Sequence, residues 1–155
     1  REQNLKRAEE LTLRTNQLNT TGRTYSYDEL DQLAKSEDFH LLLASLEDRY
    51  GSYGTIGLVL IEKLDQEWWI RLLLMSCRVM NRGIGGAIIT YVREQAKKDG
   101  VRLLAEMISS DRNRMMYMTY KFNHFREIGQ SEDVTIFEND LSRIPPYPSY
   151  LRITS

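Results

Sequence analysis

Apolar residues recur at two spacings along the chain, and these spacings predict the order of helices and strands. Positions three and four residues apart predict an amphipathic helix over residues 1–18. Ser26, followed by Glu29, forms a capping-box pattern and predicts a second helix that ends near Ser36. Apolar runs then predict strands at residues 39–47, 55–62 and 68–75. The positions on the first helix stripe are Leu5, Ala8, Leu11, Thr15 and Leu18.

The second half of the chain alternates between the two patterns. A helical stripe begins near Ile84 and runs to about Lys98, and Gly100 is placed to end that helix. The order of helices and strands along the whole chain predicts an α/β fold with a mixed, mostly antiparallel central sheet flanked by helices. Its predicted elements are a strand at 101–108, a helix at 113–121, a strand at 134–138 and an irregular, proline-containing tail at 141–155.

Composition restricts the class of protein. A length of 155 residues predicts a single domain, with a helical segment at 1–36 and a core at 37–140. The formal net charge of −1 argues against nucleic-acid or membrane partners. A single cysteine excludes an internal disulfide and predicts a cytoplasmic protein. The sequence begins inside a helical pattern without Met, so we expect that it was cut from a longer polypeptide.

A basic, glycine-rich stretch at residues 76–87 joins the third predicted strand to a helix. Its glycines let the backbone approach an anion closely, and the free amides of the first helical turn favour negative charge. Arg82, Gly83, Ile84, Gly85 and Gly86 are therefore candidates for binding phosphate. The alternative is an ordinary tight turn between a strand and a helix.

Two common phosphate loops fit this stretch poorly. A Walker loop requires Lys followed by Ser or Thr, which is absent after Gly86, and a dinucleotide fingerprint requires a third glycine where Ile88 stands. The stretch instead resembles the acyl-coenzyme A loop of GNAT-type N-acetyltransferases, Gln/Arg-x-x-Gly-x-Gly/Ala. One register begins at Arg82; the other uses Gly83 and places Met80 at the first position.

The resemblance to GNAT proteins extends to residues 113–125, where the family has Asn, a small residue and Tyr before a Gly-Phe pair. Asn113, Tyr120 and Phe125 match this layout, although His124 replaces the usual Gly. The resemblance implies that Asn113 helps to hold the pantetheine arm and that Tyr120 protonates the leaving thiolate. Tyr117 is the alternative acid, and a tyrosine hydroxyl suits this step because its ordinary pKa is about 10.

The same resemblance implies further contacts with an acyl-pantetheine thioester, either coenzyme A or the phosphopantetheine of a carrier protein. The backbone groups of Leu74 and Met75 would pair with the pantetheine amides. Arg78 would add a charge-assisted bond to the phosphates, or it would be a solvated surface arginine. No metal ion is expected.

Several short segments of the sequence are similar to the C-terminal half of FkbH-like proteins. That family joins an N-terminal HAD-type phosphatase-like domain to a GNAT-like domain, and it moves a glyceryl unit onto an acyl carrier protein in polyketide and related pathways. The resemblance therefore implies a HAD-like domain in the same parent chain and an acyl carrier protein as partners. The Asp-x-Asp phosphatase motif is absent here. The matching segments lie at residues 7–11, 14–19, 25–30, 48–51 and 76–79.

Cys77 and Glu106 are candidates for catalysis. Cys77 lies at the predicted end of the strand beside the pantetheine arm, where it would accept the acyl group as a thioester or act as an inert, small core residue. Glu106 shares a strand face with apolar residues, so it would act as a general base or pair with Arg102 on the same face. His40 and Asp48 are weaker candidates for the base.

Three functions follow from these features. The first is an acyltransferase acting on a phosphopantetheine thioester. The second is a non-catalytic module that docks a carrier protein, which the lack of an unambiguous general base favours. The third is an N-acetyltransferase that uses acetyl-coenzyme A on a small amine and requires an acidic pocket, for which Glu106 and Asp48 are the candidates.

Overall fold

A computed structural model describes residues 2–14, 19–48, 51–76, 83–110, 113–145 and 151–154, without the side chains of residues 14, 48, 52 and 53. Helices and strands alternate after an N-terminal pair of helices. The helices are α1 (Glu2–Arg14), α2 (Tyr27–Lys35), α3 (Ile84–Asp99) and α4 (Arg114–Phe122). The strands are β1 (Phe39–Asp48), β2 (Gly51–Lys63), β3 (Glu67–Met75), β4 (Arg102–Ile108), β5 (Phe125–Ser131), β6 (Val134–Asn139) and β7 (Leu151–Thr154).

The strands form one mixed sheet in the order β5-β6-β4-β3-β2-β1-β7. β3 and β4 are parallel, because α3 forms the connection between them, and the other neighbouring pairs are antiparallel. The predicted α/β class with a mostly antiparallel sheet is confirmed.

Helices cover both faces of the sheet. On one face, Leu5, Leu11 and Leu30 of the first two helices pack against buried leucines of β1, β2 and β3. On the other face, α3 and α4 contribute Ile88, Val92, Met116 and Tyr120 to a larger core. Because strands in the middle of the sheet are covered on both sides, they read in the sequence as continuous apolar runs.

Local signals fixed two helix ends as predicted. The Ser26 side chain accepts from the amide of Glu29, and the Glu29 carboxylate accepts in turn from the amide of Ser26. Gly100 ends α3 with a φ of 68°, and its amide donates to Ala96 and Lys97. Both caps satisfy helix-end groups that would otherwise lack partners.

Two strands were not predicted. β5 is exposed except for Phe125, so it lacks the alternation of buried and exposed residues that marks a strand. β7 lies in the tail that was expected to be irregular, where it pairs with residues 43–46 of β1. Its four residues are too few to give a pattern. No helix in the described ranges is long and apolar enough to span a membrane.

Candidate functional site

The two parallel strands in the middle of the sheet separate along their length. β3 and β4 pair only from Glu67 with Arg102 to Ile70 with Ala105. Beyond this point β3 continues beside β2 as far as Met75, and β4 continues beside β6 as far as Ile108. The strands therefore diverge at their carboxyl ends and leave an opening, the strand cleft, close to the start of α3.

A segment that precedes α2 fills part of the strand cleft. The amide of Thr20 donates to the carbonyl of Leu73 at 3.0 Å, and the amide of Leu73 donates to the Thr20 hydroxyl oxygen at 3.0 Å. On the other side, the amide of Ile108 donates to the carbonyl of Thr20 at 2.9 Å. Thr20 thus bridges the diverging strands, and it is fully buried.

Asn113 holds this segment in place. Its side-chain amide lies 3.2 Å from the carbonyl of Asn19, 3.3 Å from that of Thr20 and 2.7 Å from that of Ile108, and donates to them. Its side-chain oxygen accepts from the amide of Ser110. The predicted role of Asn113 with pantetheine stays a prediction. Both ends of its side chain are bonded to the chain itself.

Tyr120 of α4 points toward the same place from the opposite face. Its ring is fully buried against Phe125 and Phe137. Its hydroxyl has no hydrogen-bond partner at suitable distance and angle in the described part of the chain. Burial raises the pKa of Tyr120 well above its ordinary value; Thr20 opposes this shift, and the charge of Glu106 adds to it. Burial thus makes the hydroxyl a weaker proton donor in the ligand-free cleft.

Tyr117, the alternative acid, lies at a different surface. Its hydroxyl donates to Glu127, and this bond raises the pKa of Tyr117. Tyr117 also lines a cavity of about 560 Å³ beside the carboxyl end of β4. The other lining residues are Met107, Ser109, Ser110, Asn113, Arg114 and Met118. Tyr117 and Tyr120 therefore face separate environments although they lie one helical turn apart.

Glu106 lies on β4 within an ion-pair network. Its carboxylate is 3.3 Å from Arg71 and 3.4 Å from Arg23, and Arg71 also bonds Glu62 at 3.0 Å. The alternative prediction, a pair between Glu106 and Arg102, is wrong. The guanidinium of Arg102 binds carboxylates on the neighbouring strands instead, because Arg102 lies directly opposite Glu67 in the parallel register.

The backbone at the start of α3 has the geometry of a phosphate-binding helix N-terminus. Gly83 precedes the helix with a φ of 67°, and no side chain in the described ranges caps the helix. An added Cβ at Gly83 would meet nothing within 4 Å. The amides of the first turn lack partners within the helix and point outward from its end. Cys77, Arg78 and Arg82 lie outside the described residues, so their predicted roles stay predictions.

Gly85 and Gly86 serve close packing. A Cβ at Gly85 would lie 2.9 Å from the Thr119 methyl carbon and 3.0 Å from Cε of Met75. A Cβ at Gly86 would lie 3.0 Å from the Asn123 side-chain oxygen. These two glycines let α3 approach α4 and the end of β3, which places the helix start beside the strand cleft.

Backbone direction along β3 decides which residues face the strand cleft. Both backbone groups of Leu73 point into it, and the amide of Ser76 points to β2, where it donates to the carbonyl of Ile56. Since successive residues of a strand alternate, the backbone groups of Leu74 point to β2 and those of Met75 to the cleft. Leu73 is thus a cleft residue that the sequence analysis did not identify.

The weaker base candidates lie elsewhere or are not described. His40 contacts the edge of the Trp68 ring, near the amino end of β3 and away from the cleft. Its Nδ1 is buried and has no hydrogen-bond partner among the described residues, and burial lowers the pKa of His40. The side chain of Asp48 lies outside the described part. Within the described ranges, no group of three or more His, Cys, Asp or Glu side chains is placed to hold a metal ion.

Thr20 and Asn19 are the main cleft residues that the sequence analysis missed. The residues Asn19-Thr20-Thr21-Gly22 follow the helix predicted over residues 1–18, and their pattern indicates only that the helix has ended. Asn19 does act locally, because its side-chain oxygen accepts from the amides of Thr21 and Gly22. The contacts of Thr20 with strands more than 50 residues away have no local signal.

Solved structures of acetyltransferases share this fold. The ribosomal-protein-S18-alanine N-acetyltransferase from Escherichia coli has a TM-score of 0.66 and 15% identity, covering 91% of this chain and 90% of that chain. NAA60 from Arabidopsis thaliana, in complex with a bisubstrate analogue, has a TM-score of 0.67 and 16% identity over 88% and 93% of the two chains. PaiA N-acetyltransferase from Thermoplasma acidophilum, in complex with coenzyme A, has a TM-score of 0.59 and 17% identity over 74% and 71%.

No family model and no curated protein matches the sequence. At these levels of identity the structural likeness establishes the fold alone. The chain has the GNAT acetyltransferase fold, as the sequence analysis predicted.

Proposed function

We propose that this domain binds an acyl-phosphopantetheine thioester in the strand cleft and acts as an acyltransferase. The observation that carries the proposal is the cleft itself. Two parallel strands diverge beside the uncapped N-terminus of α3, where Gly83 leaves room for an anion. Such an opening accepts an extended, amide-bearing arm between strands while the helix end accepts its phosphate. PaiA N-acetyltransferase, a structure with the same fold, was solved with coenzyme A.

The thioester would be carried by coenzyme A or by an acyl carrier protein. We propose the second source, in an FkbH-like protein that serves glyceryl or acyl transfer in polyketide or nonribosomal peptide biosynthesis. The segments at residues 14–19 and 76–79, which are similar to FkbH-like proteins, support this assignment. A HAD-like domain of the same parent chain would then supply the phosphate chemistry.

In the acyl transfer, the Cys77 thiolate would attack the thioester carbonyl, and the bond from that carbon to the pantetheine sulfur would break. Tyr120 would give its proton to the departing thiolate. The acyl acceptor would then attack the Cys77 thioester while Glu106 accepts its proton, and the bond from the acyl carbon to the Cys77 sulfur would break and release the Cys77 thiolate. The proton on Glu106 would return through solvent to the Tyr120 phenolate. Tyr120 is already turned toward the cleft. Glu106 would first have to be released from Arg71 and Arg23, since both of its carboxylate oxygens are engaged by these guanidinium groups.

Specific observations favour a second candidate, a non-catalytic module that docks a carrier protein. The polar groups of Asn113, the backbone of Leu73 and the carboxylate of Glu106 are all engaged within the chain. None of them is free to act on a substrate in the ligand-free fold. The third candidate, N-acetylation of a small amine, is supported by the acetyltransferases that share the fold.

The binding proposal is tested by two matched variants at the start of α3. Both Gly83→Asp and Gly83→Asn place a small polar side chain that tolerates positive φ where a Cβ meets no other atom. Only the Asp carries a negative charge, which would repel a phosphate at the helix end. We expect calorimetry to show acetyl-coenzyme A binding about tenfold more weakly to the Asp variant than to the Asn variant. Equal affinity for the two variants would remove the phosphate site from α3.

Turnover distinguishes the candidate functions. The isolated domain is incubated with an acyl-carrier protein and coenzyme A, and acyl transfer is followed by intact mass. Transfer that Cys77→Ala abolishes supports the acyltransferase with a cysteine intermediate. An acyl-enzyme that still forms in Cys77→Ala removes Cys77 from the reaction. Carrier binding without any transfer supports the docking module, and acetylation of an added amine supports the N-acetyltransferase.

A further inference from the structure

Thr20 lies in the strand cleft in the manner of an added strand. Its amide and hydroxyl oxygen bond the carbonyl and amide of Leu73, and its carbonyl accepts from Ile108. Asn19 forms an antiparallel bridge with Leu74. Asn19 and Thr20 are buried, so these bonds are shielded from water. Residues 19–22, which we name the strap, thereby bond the amide and carbonyl of Leu73 on one strand and the amide of Ile108 on the other.

A thioester arm that entered this part of the cleft would need the same backbone groups. The amides of a pantetheine arm must be bonded once they leave water, and the groups they would find are the amide and carbonyl of Leu73 and the amide of Ile108. Each of these three groups now has one partner in the strap. The strap and the arm cannot use them at the same time.

The strap is fastened at two places. Asn113 donates its side-chain amide to the carbonyls of Asn19 and Thr20. The Asn19 side chain accepts from Thr21 and Gly22, and the φ of Gly22 is 74°, so a tight left-handed turn directly follows the bonded residues. The bonds of Asn113 release only if α4 or the strap shifts.

Tyr120 supplies an independent observation at the same point. Its fully buried hydroxyl is turned toward Thr20 but makes no regular hydrogen bond. A buried hydroxyl without a well-aligned partner is unfavourable, so this position favours a state in which another polar atom reaches the hydroxyl. A ligand that took the place of Thr20 would provide such an atom.

We propose that the strap holds the strand cleft closed and that an acyl-phosphopantetheine arm enters only when residues 19–22 release Leu73 and Ile108. This inference rests on the proposed function, because it concerns the same cleft. The strap makes the open cleft a minor state, and the apparent affinity for the ligand falls by the fraction of molecules that are open. Variants that weaken the strap should therefore bind the ligand more tightly than the natural chain does.

Two variants with the same chemical change distinguish the effect of weakening the strap from the effect of a general loss of stability. Thr20→Ala removes the hydroxyl oxygen that accepts from Leu73. Thr12→Ala is the control, because Thr12 is a buried threonine that bonds backbone groups of Tyr25 outside the cleft. We expect acetyl-coenzyme A to bind at least fivefold more tightly to Thr20→Ala than to Thr12→Ala, measured by calorimetry on folded protein.

Hydrogen exchange of the natural chain, followed by NMR, tests the same inference without a substitution. Saturating acetyl-coenzyme A should speed the exchange of the Thr20 amide at least tenfold, since the Leu73 carbonyl loses the strap as partner. The Ser76 amide donates to Ile56 within the sheet and serves as the internal reference, so its exchange should stay unchanged.

The outcomes separate the two proposals. Tighter binding by Thr20→Ala, with faster exchange at Thr20, supports the strap. Binding of equal affinity to both variants, with unchanged exchange at Thr20, overturns the strap and leaves the proposed binding function intact. Absence of binding of both acetyl-coenzyme A and an acyl-carrier protein, to the natural chain and to Thr20→Ala, while both stay folded by circular dichroism, overturns both.

Discussion

Arg93 of α3 donates to the side-chain oxygen of Asn139 at 2.7 Å, and both side chains are buried. The same guanidinium donates to the carbonyls of Asp140 and Arg143 at 2.6 and 3.0 Å. It thereby fastens the chain that follows β6 to the helix. Burial lowers the pKa of Arg93, and the charge of Asp140 opposes this shift.

Arg93→Lys should destabilise the fold although the charge is kept. A lysine ammonium is a single point of charge and cannot reproduce the planar fork that reaches three oxygens. We expect the free energy of unfolding to fall by roughly 2–4 kcal/mol in urea denaturation. Lys97→Ala is the control on the same helix, since its exposed contact with Ser142 should contribute below about 0.5 kcal/mol. Similar losses in both variants would contradict this account of Arg93.

Glu106→Gln tests the ion-pair network that crosses β3 and β4. The substitution keeps the shape of the side chain but removes the charge that Arg71 and Arg23 share. Arg71 keeps its pair with Glu62, so we expect the free energy of unfolding to fall by only about 1 kcal/mol. Glu10→Gln, which alters an exposed pair on α1, should cost less than about 0.5 kcal/mol. A neutral or stabilising effect of Glu106→Gln would show that the network contributes nothing to stability.

Much of the fold was predictable because its signals are local. The capping box at Ser26, Gly100 after the last turn of α3, and the apolar runs of β2 and β3 each depend on a few adjacent residues. The glycine-rich start of α3 was also visible in this way. The GNAT fold followed from the order of these elements together with a short motif.

The contacts that define the candidate site were less predictable because they join distant residues. Thr20 bonds Leu73 and Ile108, which are 53 residues or more away along the chain. A short polar segment after a helix does not indicate which distant residues it will bond. Glu106 pairs with Arg71 on the next strand because the parallel register places them together, whereas sequence spacing favoured Arg102. Registers between strands set such contacts, and one sequence does not contain them.

Gly85→Ala should destabilise the protein, although alanine normally favours a helix over glycine. The added methyl would lie 2.9 Å from the methyl carbon of Thr119 and would press on Met75. We expect the free energy of unfolding to fall by roughly 1–3 kcal/mol, since overpacking outweighs helix propensity. Thr119→Ser removes the closest carbon, so the double variant should recover part of the loss. Gly129→Ala, which meets no atom within 4 Å, should change stability by less than about 0.5 kcal/mol.

Tyr120→Phe separates stability from chemistry at the strand cleft. The substitution removes a buried hydroxyl that has no hydrogen-bond partner of good geometry among the described residues, so the protein without ligand should keep its stability or gain up to about 1 kcal/mol. If Tyr120 protonates the leaving thiolate, any acyl transfer should fall about 100-fold or more. Tyr117→Phe is the matched control on the same helix and removes the bond to Glu127. A larger loss of transfer in Tyr117→Phe than in Tyr120→Phe would assign the acid to Tyr117.

His40 should make the protein less stable in mild acid. Burial and the charge of Lys63 lower the pKa of His40 in the fold, and Asp99 opposes them only in part. The unfolded chain, where the pKa is about 6.5, therefore binds a proton more readily than the folded protein does. The stabilisation is fully present above that pH and is lost as the pH falls through the folded value.

Urea denaturation at about pH 8 and about pH 5.5 measures this contribution. We expect the natural chain to lose more stability between these two conditions than His40→Gln does, because glutamine does not titrate. His124→Asn is the control; His124 is exposed at a φ of 71°, which asparagine tolerates, and this variant should keep the pH response of the natural chain. An equal response in the natural chain and His40→Gln would mean that protonation of His40 does not distinguish the folded from the unfolded state.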